Sequence, residues 1–146
     1  MLNQDDLYTF MISLYEEAKV KLAREGGLMK SHTLLTLDGK KVFILESDGL
    51  DKNEVPRALK EVAPACKAMG STCEAWMAPE KASGVRPTDN PNRVEAIVVS
   101  VQSKEGSYLL CAKFDRDADA NPSPPSSPVV SWNGEVVEGS YANLFP

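Results

Sequence analysis

A chain of 146 residues fits one domain with enough bulk to bury a core, and its 42% apolar content is that of an ordinary globular protein. The net charge of −5 is mild and unevenly spread: residues 1–113 carry 15 Lys/Arg against 16 Asp/Glu, residues 114–146 one Arg against five acids. No basic face stands out that would displace counterions from phosphates, so nucleic acid is not an expected partner. No apolar run approaches the ~18 residues of a membrane span, so no membrane partner is expected. The acidic start MLNQDD is unlike a secretory signal, which points to the cytoplasm. Cys66, Cys73 and Cys111 are odd in number and lack a C-x-x-C pair, as expected of reduced core thiols in that compartment.

Residues 4–25 read as a helix. Leu7, Phe10, Met11, Leu14 and Ala18 recur at three- and four-residue steps. Asn3 suits the N-cap, Asp5 and Asp6 the positive end of the helix dipole, and Gly26-Gly27 the stop. Tyr8, Ile12 and Tyr15 widen the apolar surface, implying contact on a second side with the chain's own tail or with a second subunit, so a homodimer is a candidate assembly. Residues 32–37 and 41–46 alternate as strands around Asp38-Gly39, a pair that accepts the positive φ of a type I′ turn. A second helix is expected over 51–70, with Asp51 and Glu54 spaced as a capping box and Pro64 kinking or breaking it.

Strands follow at 72–77, 94–101 and 107–114, the last apolar on both faces and therefore interior to a sheet. The element order implies an α+β domain over 1–114: a five-stranded, mostly antiparallel sheet ordered 2-1-5-4-3, with both helices on one face. That element order is similar to profilin-like or roadblock-like modules, an analogy of arrangement only. Residues 115–128 are polar and carry four prolines, a composition that favours an extended polyproline linker. Beyond it, 129–132 and 135–138 flank Asn133-Gly134, a second I′ hairpin signal within a C-terminal segment over 129–146. An isolated hairpin is marginal in water, and Trp132 and Phe145 are costly to leave there, so this segment is expected to dock on its own domain or on a partner.

The chemistry is sparse. His32 is the single histidine, the thiols fall on predicted buried faces, and no phosphate-binding or nucleophile-elbow motif occurs, so neither metal nor cofactor is expected. What remains is the charge at the strand ends around the loop at 78–93. Glu74 and Trp76 share one strand face, Arg93 and Glu95 share one on the next, and Arg86 lies within the loop. Two uses compete. These charges form an ion-pair network that pins the loop, with Glu74 meeting Arg93 or Glu95 across the ladder. Alternatively, Glu74, Arg86, Arg93 and Glu95 are the site of a small enzyme or polar-ligand binder. The first carries the expectation of a non-enzymatic interaction or accessory module whose partner is a protein, engaged through the loop or the C-terminal hairpin, with Trp76 and Trp132 as further contact residues.

Glu74-Ala75-Trp76, followed by Arg86-Pro87, Pro91, Arg93 and Glu95, resembles an E-A-W…R-P-x-x-x-P-x-R-x-E pattern of bacterial and phage proteins for which no activity is established. The resemblance implies that the loop is a built element, and it brings no catalytic role with it.

Overall fold

The computed structural model describes residues 3–46, 54–78, 93–140 and 144. Helix α1 runs from Gln4 to Glu25, and its ends are set by the residues that the sequence offers for them. Asn3 accepts from the Asp6 amide while the Asp6 carboxylate accepts from the Asn3 amide, a reciprocal capping box. At the other end Gly26 takes φ +78 and its N–H donates to Leu22. Leu7, Phe10, Met11, Leu14, Tyr15, Ala18 and Leu22 form the buried stripe.

Strands β1 (Ser31–Thr36), β2 (Lys41–Glu46), β3 (Cys66–Met77), β4 (Val94–Ser103), β5 (Gly106–Phe114), β6 (Val129–Trp132) and β7 (Glu135–Glu138) make one antiparallel sheet. Its order is β2-β1-β3-β4-β5-β6-β7. The sheet thus has seven strands, not the expected five, because β6 pairs with β5 and carries β7 with it. The expected order 2-1-5-4-3 is also corrected: β3, not β5, lies beside β1.

The longer β3 explains that second difference. The expected helix over 51–70 ends early: α2 spans Glu54–Val62, and a 3-10 turn, Ala63–Ala65, contains Pro64. Pro64 lacks the amide that would extend the helix, and the chain turns extended at Cys66. The expected capping residue Asp51 lies outside the described residues. Gly70, which reads as a helix stop, is instead the point where the sheet meets α1. A Cβ there would stand 2.4 Å from Leu14 Cδ1 and 3.3 Å from Phe10, so only glycine lets the helix approach this closely.

Helix α1 packs across β3, β4 and β5, over a core of Ile97, Val99, Val101, Leu110, Ala112, Phe114 and Val130. α2 contacts chiefly the 3-10 turn, so the helix layer on this face is built by α1, a correction to the expectation that both helices cover it. On the other face Cys111, Val129 and Leu144 form a smaller cluster flanked by Met77 and Val98.

The two hairpin signals fold differently. Asn133 and Gly134 both take positive φ, as a I′ turn requires. Between β1 and β2 only Gly39 does. There the Gly39 amide donates to Thr36 and the Thr36 amide to Lys40, a three-residue loop closed by left-handed Gly39 rather than the tight I′ turn.

Candidate functional site

Antiparallel pairing sets the charged residues together. Glu74 lies opposite Ile97 and Trp76 opposite Glu95, so Glu74 and Glu95 are diagonal neighbours on the face that α1 covers. β5 ends at Phe114, opposite Glu95, and the chain then turns back over the same corner, bringing Arg116 above both carboxylates. Arg116 Nε and Nη2 grip Glu95 at 2.9 and 3.0 Å, and Nη2 also reaches Glu74 Oε2 at 3.0 Å. Nη1 donates to the carbonyl of Gly26 at 2.8 Å and that of Ala120 at 2.9 Å. A guanidinium has five N–H donors, and these five contacts engage every nitrogen that bears them. The guanidinium also lies 5.3 Å from the centre of the Phe114 ring.

The cluster is partly buried, with Glu95 the least exposed member. Burial pushes the Glu74 carboxyl above its usual range and nearby Glu95 adds to the rise, while Arg116 and the Leu28 amide pull it down. Two carboxylates facing one guanidinium leave a surplus negative charge, which adds to the rise in the proton affinity of Glu74.

Arg116 also organises residues 115–128. Arg116 bridges to Pro122, the Asp115 and Ser123 amides bond back across the turn, and Ser126 donates to Lys113. The Asp117 carboxylate accepts from the Asp119 and Asn121 amides, each at 2.9 Å. Ala120, at φ +65, presents its carbonyl to Arg116. The stretch that reads as an extended linker is therefore hydrogen-bonded to itself and to the sheet.

The candidate residues are only partly brought together. Glu74 and Glu95 meet, but the cation that grips both is Arg116. Arg93 lies over the Trp76 ring, 4.7 Å from its centre, and Trp76 is 40% exposed. Arg86 lies outside the described residues. Trp132 lies the length of β5 away from Glu95, tilted against Tyr108 with ring centres 4.6 Å apart. Arg116 was missed because it stands in a polar, proline-bearing stretch. The available signal was one arginine alternating with Asp115, Asp117 and Asp119, with an Asx-turn former directly after it.

Elsewhere the chemistry is quiet. His32 is buried with its Nε2 unpartnered, and burial, with Lys30 adding, lowers its proton affinity. Burial pushes the Cys111 thiol up to about 11, and no disulfide joins Cys66, Cys73 or Cys111. Among the described residues no three His, Cys, Asp or Glu side chains group to hold a metal, and no helix is long and apolar enough to cross a membrane. Compared with known protein families, curated proteins and solved structures, the chain matches none.

Proposed function

We propose that the protein is a non-enzymatic interaction module, of the bacterial or phage kind its loop pattern resembles, that binds a protein partner at the root of the loop over 78–93. The observation that carries this reading is the pair formed by half-exposed Trp76 and the Arg93 guanidinium stacked on it. Tryptophan and arginine are the side chains that most often dominate binding energy at protein interfaces. Here they stand beside a cluster whose guanidinium is already fully engaged, which speaks for a rigid support under a contact surface. The partner would offer an apolar surface to Trp76 and a carboxylate to Arg93.

The C-terminal hairpin is the weaker contact. β7 is short, carries Glu135 and Glu138, and is bulged at Val137, since Val136 pairs with Ser131 and Glu138 with Val130. Short length, charge and a bulge are how sheet edges are protected from pairing.

The test is affinity capture from a bacterial lysate with the wild type and the Trp76→Ala/Arg93→Ala double variant. A partner retained by the first and lost by the second, at unchanged melting temperature, supports the reading; equal capture by both would reject it. One observation favours the competing enzyme or polar-ligand reading through Glu74, Arg86, Arg93 and Glu95: the raised proton affinity of Glu74. That reading predicts that Glu74→Gln abolishes a ligand-dependent activity while leaving the partner capture intact.

A further inference from the structure

At the opposite end of the sheet lysine side chains line two clefts. Pairing between β1 and β3 steps from Leu35↔Ala68 to Thr36↔Cys66, so Lys67 is the extra residue of a bulge in β3. Bulges re-aim side chains and recur beside functional sites. Lys67 lines two adjoining clefts as a result. One, of about 450 Å³, is walled by Leu37, Pro64 and Cys66 and by Lys104 and Glu105 of the β4–β5 turn. The other, of about 360 Å³, adds Asp6, Phe10, Leu35 and Lys41. These volumes are those of small-molecule sites.

The lysines at this end differ in their commitments. Lys41 is paired with Glu17 and Lys40 with Asp38. Among the described residues no close ion pair joins Lys67 or Lys104 to a carboxylate, although the charge of Lys67 acts on Asp38 from a distance. This end sets Lys40, Lys41, Lys67 and Lys104 against Asp6, Glu17, Asp38 and Glu105, and within the larger cleft Lys67 and Lys104 face the single carboxylate of Glu105. Beside Lys67 and Lys104 one wall of the cleft is apolar, built by Leu37, Ala63 and Pro64, and Leu37 is 64% exposed on it. The Cys66 thiol donates to the Ala63 carbonyl and burial raises its pKa, so it serves as wall rather than nucleophile.

We propose that these joined clefts bind a small organic anion with an apolar body, such as an aryl carboxylate, sulfonate or phosphate. Lys67 and Lys104 take the anionic group, and Leu37 and Pro64 flank the body. The site is separate from the Trp76–Arg93 surface and does not depend on its function.

The test uses two fluorescent probes of matched shape, anilinonaphthalene sulfonate and the neutral phenylnaphthylamine, titrated into the full chain. The sulfonate should bind saturably and about tenfold more tightly than the neutral probe, as expected for gaining a charge-assisted hydrogen bond. Lys67→Glu and Lys104→Glu should each weaken it by a similar factor, and Lys67→Arg should not. Backbone amide shifts on titration should centre on residues 37, 66, 67 and 103–105. Should Lys67→Glu fail to fold, Lys104→Glu on the exposed turn and the shift map decide alone. Absence of saturable binding, equal affinity for both probes, indifference to the lysine variants, or binding of an acidic peptide but not of the small anion would each overturn the proposal.

Discussion

The two ends of the sheet hold similar numbers of charges and use them in opposite ways. At the Glu74 end one guanidinium donates to two carboxylates and two carbonyls, and every nitrogen is engaged. At the Lys67 end two ammonium groups line open clefts beside apolar walls. The difference lies in what the chain does after each strand. Beyond Phe114 it folds back over the corner and supplies a planar, five-donor group that can satisfy several acceptors at once. The turns at the other end supply flexible lysines and no covering segment among the described residues. A charged cluster is therefore read by its satisfaction rather than its size: the closed end is a fastener, the open end a binding surface.

The largest expected effect comes from breaking the fastener. Arg116→Ala leaves Glu74 and Glu95 facing each other, partly buried, and removes the donor used by the half-buried Gly26 carbonyl and the exposed Ala120 carbonyl. It should lower unfolding stability by about 1–3 kcal/mol, the range for removing the partner of acceptors that are only partly open to water, and denaturant melts at neutral pH check it. Arg116→Lys should recover only part, because an ammonium cannot span both carboxylates in the plane of a guanidinium.

That loss should depend on pH. Glu74 already titrates above the ordinary glutamate value of 4.5, and removing Arg116, which lowers it, raises it further. A raised folded-state pKa gives stability that is fully present below 4.5 and lost as pH rises through the folded value. The deficit of Arg116→Ala should therefore shrink between pH 7 and pH 4.5. His32 acts in the other direction: its lowered pKa costs stability as pH falls below its ordinary value of 6.5. That slope is common to wild type and variant and cancels in their difference. A deficit that is flat or grows toward acid would show that Glu74 is not the group Arg116 holds ionised.

Much of this was readable beforehand. The ends of α1 follow from Asn3, Asp6 and Gly26, because caps act through local hydrogen bonds that the sequence spells out. The meeting of Glu74 and Glu95 follows from strand alternation. The start of β3 was not readable, since Cys66–Gly70 continues the apolar spacing of the preceding helix and Gly70 suits a helix stop as well as it suits a close crossing under Leu14. Such a crossing is a long-range fact, and no window of local sequence contains it. Arg116 was hidden for the same reason: apart from Ala120, its partners lie on β3, on β4 and at Gly26 just past α1, distant along the chain.

Two smaller effects sharpen the contrast. Ala120 pays for its left-handed backbone to aim a carbonyl at Arg116, so Ala120→Gly should stabilise the protein by about 1 kcal/mol. Thermal melts would show it, and destabilisation would mean that the alanine methyl packs usefully. At the open end, Lys67→Ala and Lys104→Ala should shift stability by no more than about 0.5 kcal/mol, as for surface side chains outside any network. A larger loss in denaturant melts would mark them as structural.

The central claim is that Arg116, rather than Arg93, fastens this corner of the molecule, and amide hydrogen exchange of residues 115–128 tests it most directly. In Arg116→Ala the amides of Asp117, Ala120, Ser123 and Ser126, each hydrogen-bonded in the wild type, should exchange markedly faster. In Arg93→Ala they should exchange at the wild-type rate. Unchanged exchange in Arg116→Ala, or acceleration in Arg93→Ala instead, would contradict the account.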